Sequence, residues 1–336
     1  SRLASPRGHP QLVHRRAAVA ELTDKVKKAL QENRILVLGT QVVLGLQLRG
    51  TFEAGFERLP RTTQLLQLGA LGLMLLALAL LLTPSSFHRI AERGEDTHRV
   101  HHLAGRFMRG VLPLFALAIG IDLFMAGEKV AGRSAGVVLG SLFVLLGLAL
   151  FYGLTHVQQR RRAPEIQREK AMSHAKEKPG EKTPVKTRIG HVLLELRMVL
   201  PGAQALLGFQ VAILLVEAFD RLPWSSRLVH LGSLACVALS ILLLITPAAY
   251  HRIVEQGEET EHFHKVASGF LVAATVPLAL GLSGDAFVVV RKVLGSTQAG
   301  LIAGGVNLAL CFSLWFGLSL AARGSRKREQ AEAVGA

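Results

Sequence analysis

TPSSFHRI at residues 83–90 returns as TPAAYHRI at residues 246–253, an offset of 163 positions in a chain of 336. The match spreads outward at the same offset. Upstream, Phe56, Arg58, Leu59 and Pro60 meet Phe219, Arg221, Leu222 and Pro223. Before them, Glu32, Arg34, Gly39, Gln41, Gly45 and Gln47 meet Glu195, Arg197, Gly202, Gln204, Gly208 and Gln210. Downstream, Gly94, Glu95, Thr97 and His101 meet Gly257, Glu258, Thr260 and His264, and Asp122 and Lys129 meet Asp285 and Lys292. Only Pro113 and Pro277 need one extra step. Chance does not align so many polar and turn residues through four successive elements. The chain reads as a tandem duplication.

The fold class follows from what precedes each copy of the word. TTQLLQLGALGLMLLALALLLTP (62–84) carries no charge, and about twenty apolar residues cross roughly 30 Å of hydrocarbon as a helix. Comparable blocks lie at 34–48, 110–126 and 135–154, and in the second half at 199–219, 228–247, 267–284 and 299–320. Within lipid, a segment of this kind satisfies its backbone only as a helix. The expected fold is an all-α integral membrane protein with eight transmembrane helices, arranged as two parallel four-helix repeats at 34–156 and 188–320. An even number of spans sets both copies the same way up. That predicts a pseudo-two-fold axis along the membrane normal with the first helices beside it, unlike an inverted repeat.

The chain is 50% hydrophobic with a mean hydropathy of +0.37, yet carries a net charge of +15. The charge is concentrated outside the apolar blocks: in an N-terminal segment (1–33), a linker (157–187) and a tail (321–336). Of the 39 Lys and Arg, 30 fall on the side of the bundle shared by those three segments. The positive-inside rule then predicts cytoplasmic termini and linker, in a bacterial cytoplasmic membrane. Leu22, Val26 and Leu30 form one stripe in ELTDKVKKALQE (21–32), the pattern of an interfacial helix. The predicted partners are the lipid bilayer with its anionic headgroups, and other membrane proteins. Nucleic acid is not expected, because the basic runs lack the interleaved aromatics that stack on bases. The first apolar block lies too far from the N-terminus for a cleavable signal. Cys236 and Cys311 fall within spans and offer neither a disulfide framework nor zinc spacing.

Within the repeated word, Thr-Pro is expected to end the second span, since Pro lacks a donor and restricts the residue before it. His88-Arg89 and His251-Arg252 then mark the cytoplasmic face. His98, His101, His102, His262 and His264 follow in the next loop and invite a haem or metal reading. None lies deep enough for bis-histidine haem, and only His101 and His264 keep register. No cofactor is predicted, and no nucleophile–base constellation for an enzyme is found.

The chain also resembles a family of bacterial membrane proteins known as domain of unknown function 6328. The resemblance rests on ELRMVLPGAQALLGFQ (195–210) and on Pro247, His251 and Arg252 in the second half. The first half matches more loosely, with Asn33, Leu46 and Ser85 where the second has Leu196, Phe209 and Ala248. Family members are single units, so the resemblance implies that they work as homodimers. Some are labelled sodium:proton antiporters, which implies an ionisable group facing a water path within the bilayer.

Asp122 and Asp285 are the candidates for that group. At ~1.5 Å per residue each lies ~27 Å up its helix, near the outer interface, where Lys129 and Lys292 are the expected partners. Gln41 and Gln204 lie deeper, each four residues before a glycine, and are expected to hold helices together. Gln47 and Gln210 admit the same reading. Two classes of function follow. A structural or docking subunit would use helix faces and the basic linker, whereas a transporter would gather Gln41, Gln47, Gln204, Gln210, Asp122 and Asp285 into one polar seam between the repeats.

Overall fold

The computed structural model describes residues 10–93, 95–158, 185–255 and 260–317. Most of the linker, the tail and the start of the N-terminal segment lie outside them, as does part of the turn after each repeated word. Among the described residues every regular element is helical. The first repeat comprises α1 (Pro10–Thr51), a single turn α2 (Ala54–Glu57), α3 (Arg61–Ile90), α4 (His98–Ala131) and α5 (Arg133–Leu148). The second comprises α6 (Val185–Leu214), α7 (Glu217–Asp220), α8 (Trp224–Ile253), α9 (Glu261–Leu294) and α10 (Thr297–Phe312). A π-helical turn continues α5 over Ala149–Gly153 and α10 over Ser313–Gly317.

From α2 to α4 the helix bounds recur 163 positions later. The register therefore passes unbroken through Pro113 and Pro277, which stand one position apart on equivalent helices. The extra residue lies in the following turn, where Gly132 alone joins α4 to α5 but Gly295 and Ser296 join α9 to α10. Both glycines take positive φ, 91° and 65°, which spares them the Cβ penalty of that region. Thr97 and Thr260 cap α4 and α9, accepting from the amides of Val100 (3.3 Å) and Phe263 (3.0 Å). Such a cap satisfies one of the helix's unpaired first-turn donors.

Thr-Pro does not end the second span. Pro84 and Pro247 are buried inside α3 and α8, which run on to Ile90 and Ile253. A proline within an apolar helix is tolerated where neighbouring groups bond the freed backbone. The preceding threonines donate one turn back, Thr83 to the Ala79 carbonyl (2.8 Å) and Thr246 to that of Leu242 (2.7 Å), beside the Leu80 and Leu243 carbonyls that the prolines leave without a backbone donor.

Among the described residues seven helices are long and apolar enough to cross a membrane: α3, α4, α5, α6, α8, α9 and α10. This is the build of a multi-pass membrane protein. The helix α1 is not among them, because Arg34 and Arg49 bracket its apolar run whereas α6 carries Ala212 in place of Arg49. Nor does residues 21–32 form a separate interfacial helix. They belong to the unbroken α1, with Val26 and Ala29 buried in protein.

Within each repeat the last two long helices approach through small residues. A Cβ on Gly127 would meet Gly136 Cα at 2.8 Å, and one on Gly140 would meet the Gly120 carbonyl at 2.7 Å. Likewise Gly300 and Gly304 lie against the Phe287 and Ser283 carbonyls at 2.9 and 3.0 Å. Close backbone approach of this kind is how helices gain dispersion contact in lipid.

The repeats meet through α1 and α6, which climb together: Gly39 lies under the Gln204 side chain, Gly208 under Leu46, and Gly50 near Leu215. A two-fold axis would return each contact in mirror form, and it does not. Gly202 and Gly45, the equivalents of Gly39 and Gly208, have nothing within 4 Å, and Gln41 is exposed. Similarly α8 packs along α4 and the end of α5, while α3 makes no comparable contact with α9 or the end of α10. Of the most apolar stretch of each helix, 67% is buried in α4 but 33% in α9. The second repeat thus docks onto the first by a heterologous contact, correcting the expected pseudo-two-fold.

Leucine at Gly39 or at Gly208 is expected to overpack this contact and lower stability by about 1–3 kcal/mol. At Gly202 or Gly45 it is expected to change stability by less than about 0.5 kcal/mol. Thermal unfolding in detergent reads the difference. Equal losses at equivalent glycines would mean that the contact is reciprocal after all.

Candidate functional site

Two turns below the α2 end of the bundle, Asp122 on α4 is 2% exposed. Its carboxylate accepts from Gln47 Nε2 on α1 at 3.2 and 3.3 Å. Gln67 on α3, also buried, donates to the neighbouring Ile121 carbonyl at 3.5 Å. A buried carboxylate without donors is costly, so this amide pair lets the helix keep an acid among apolar neighbours. Asp122 is therefore not the rim carboxylate expected from sequence. Lys129 turns instead to Asp220 on α7, Nζ to Oδ1 3.2 Å.

The second repeat builds the same site with one substitution. Asp285 on α9 accepts from Gln210 Nε2 on α6 at 2.7 Å. Where the first repeat has Gln67, the second has His230. Its Nδ1 lies 3.7 Å from Asp285 Oδ1 and its Nε2 3.0 Å from the Gln210 carbonyl. A carbonyl only accepts, so the bond to Gln210 places the hydrogen on Nε2 and leaves Nδ1 facing Asp285. The Phe219 ring packs edge-on against the imidazole, 5.3 Å between centroids.

The two sites differ most in what covers them. Beside Gln47 and Gln67, Leu215 of the second repeat fills the hollow and leaves about 10 Å³. The Leu215 backbone carbonyl accepts from the Gly55 amide at 3.0 Å, an approach that a Cβ on Gly55 would block. Among the described residues nothing equivalent covers the second site, where a cavity of about 340 Å³ opens beside Asp285, His230 and Gln210. Its walls are apolar, among them Phe209, Ile213 and Val289, with Lys292 at the margin. The Asp285 side chain is 22% exposed.

The other residues singled out in sequence do not join these sites. Gln204 is buried against Gly39, while Gln41 is exposed. His88 Nε2 lies 3.5 Å from Asp96 Oδ1, and Arg89 is exposed. In the second copy of the word, His251 is buried against the Phe263 ring at 4.5 Å and Arg252 lies beside Gly105 of α4. Tyr250 there donates to Gln158 Oε1 at 3.0 Å, across the repeats. His101 and His102 are adjacent edge-to-face at 5.9 Å, His98 is exposed, and His262 and His264 are part-exposed on α9. Among the described residues no three His, Cys, Asp or Glu side chains are grouped to hold a metal. Sequence reasoning passed over Gln67 and His230. Their signal was available: at the shared offset, both halves place a polar residue at the same point of an otherwise apolar helix.

Residues 19–155 and, again, residues 180–319 match one family, described as a family of unknown function (DUF6328). No curated protein and no solved structure matches the chain.

Replacing Gln47 by Leu removes the Nε2 that bonds both oxygens of the buried Asp122 carboxylate and is expected to cost about 1–3 kcal/mol. Gln41→Leu, on an exposed face, is expected to stay within about 0.5 kcal/mol. Unfolding in graded SDS measures both. A neutral Gln47→Leu would show that Asp122 does not depend on that amide.

Proposed function

The chain belongs to this family of unknown function twice over, and we propose that it acts as a structural or docking subunit of a bacterial cytoplasmic membrane rather than as an ion exchanger. One observation carries the reading. The two carboxylates do not share a seam: Asp122 is held by Gln47 and Asp285 by Gln210, each within its own repeat. The cavity beside Asp285 is lined wholly by second-repeat residues, so it does not lie between the repeats, where alternating access would place a site.

In this reading α1 completes an eight-helix arrangement of two parallel repeats. Its apolar run from Ile35 to Leu48 rises about 21 Å, short for the bilayer, with Arg34 and Arg49 reaching the interfaces. The His-Arg ends of α3 and α8 face the cytoplasm, with the termini and the basic linker, as the excess of Lys and Arg indicates. The α2 and α7 ends face outward. An acid two turns below that face with only amides beneath it is placed to fix helix register, not to carry protons across. The linker and tail would add a basic cytoplasmic surface for anionic lipid or a membrane partner.

The competing reading is sodium:proton exchange, and Asp285 with His230 in an open cavity is the feature that favours it. Reconstituted vesicles under a sodium gradient separate the two. The expected result is no sodium-dependent pH change, with wild-type protein indistinguishable from Asp122→Asn/Asp285→Asn. A sodium-driven pH change lost in that double variant would establish the exchanger and end the structural reading.

A further inference from the structure

The contact that joins the repeats is heterologous, so each repeat has one of its two contact surfaces unused. The second repeat presents its α6–α7 corner and its α8 face to the first. The first receives them in the hollow at Gln47 and along α4. What remains is, on the first repeat, the Phe52 side of the α1–α2 corner and the α3 face, and, on the second, the receiving surface formed by the cavity at Asp285 and α9. These two leftover surfaces are built from residues equivalent to those already in contact.

The correspondence shows at particular residues. Leu215 fills the hollow of the first repeat, and its equivalent Phe52 stands 89% exposed at the α1–α2 corner. The hollow that would take Phe52 is the apolar cavity of about 340 Å³. Charge repeats the match. Asp220 meets Lys129 at 3.2 Å and Arg58 at 3.9 Å, with Arg58 also 2.5 Å from Glu217. The equivalents of Asp220, Arg58 and Lys129 are Glu57, Arg221 and Lys292, all exposed, and among the described residues no ion pair joins them. Finally, Ala238 and Ile245 of α8 are fully buried, whereas their α3 equivalents Leu75 and Leu82 are 50% and 43% exposed.

We propose that a second copy of the chain docks the α1–α2 corner and α3 of its first repeat onto the second repeat, with Phe52 entering the cavity beside Asp285 and Glu57 meeting Arg221 and Lys292. A heterologous contact that is repeated closes into a ring when its rotation allows. With two repeats per chain, the smallest such ring is two chains and four repeats. The match is incomplete: Ala54 stands for Glu217, so the Arg58–Glu217 pair has no equivalent, Ile213 stands for Gly50, and a further difference sets the fit. Ala218 stands where Gly55 admits the Leu215 backbone, so the second contact holds its backbone further out. A wider hollow and a larger side chain suit that separation. The proposal deepens the docking reading above by naming its partner as the chain itself.

The test is the oligomeric mass of the full chain in lipid nanodiscs and in mild detergent, measured across a dilution series. The expected result is an assembly of more than one chain, two in the smallest case. Glu57→Lys would face Arg221 and Lys292 with like charge, a juxtaposition that costs several kcal/mol, and is expected to weaken association about a hundredfold or more. Adding Lys292→Glu and Arg221→Glu to the same chain restores the opposite charges and is expected to recover it. Phe52→Ser is a second route to the monomer that leaves the charges alone. A monomer at every concentration, or an assembly unaffected by both Glu57→Lys and Phe52→Ser, overturns the proposal. So does native mass spectrometry that finds the wild-type monomer holding a lipid, with the lipid lost when the cavity is filled by Val289→Trp. In any of those cases vesicles that still show no exchange leave the structural reading standing, whereas exchange removes that reading whatever the mass.

Discussion

Leu215 seated on Gly50 and Gly55 is the contact on which the rest of the arrangement depends. Two glycines at the α1–α2 corner let a backbone carbonyl and a leucine side chain from the other repeat reach contact distance. In lipid, where apolar surface gains little by leaving one hydrocarbon for another, such close approach is the main attraction between helices. Once Leu215 is seated, Gln47 and Asp122 are sealed, α8 lies along α4, and the second copy of the repeated word is covered by the end of α5. The first copy, lacking such a neighbour, stays at the surface, with Ile90 81% exposed.

The duplicated units differ at many positions, and three of the differences bear on how the units meet. Ala218 replaces Gly55 and closes the route by which a corner could enter. Phe52 replaces Leu215 at the corner that is left outside. His230 replaces Gln67, adding a titratable ring to a site that otherwise repeats an amide–carboxylate pair. Each change falls at the contact between repeats or at the polar site beside it, and the helix bounds elsewhere keep their register. The unit is conserved as a fold, while its surfaces have taken separate tasks: one seals a site, the other leaves it open.

Much of the fold was legible in the sequence because apolar blocks and an offset of 163 positions report directly on helices and duplication. Charge was harder to read. Arg49, in the last turn of α1, pairs with Glu53 at 3.5 Å and with Arg34 cuts the apolar run of that helix short. The prolines misled because a proline costs one backbone bond and does not by itself stop an apolar helix, and α3 and α8 run through. Depth along a helix placed Asp122 near one end correctly, but height says nothing about which way a side chain faces. Its burial depends on Gln47 and Gln67 from two other helices. The asymmetry was the least legible feature, because aligning two halves treats them as equals. Only the pairs that differ, Gly55 with Ala218 and Leu215 with Phe52, carried it.

The heterologous contact is tested most directly by cross-linking cysteine pairs within one chain, in a background with Cys236 and Cys311 replaced by alanine. Gly39→Cys/Gln204→Cys samples the contact in the direction observed, and Gly202→Cys/Gln41→Cys samples its mirror image at equivalent positions. The account predicts an intramolecular cross-link in the first pair and none within a single chain in the second. Intramolecular cross-links of equal yield in both pairs would contradict it, by showing that the repeats face each other through a true two-fold.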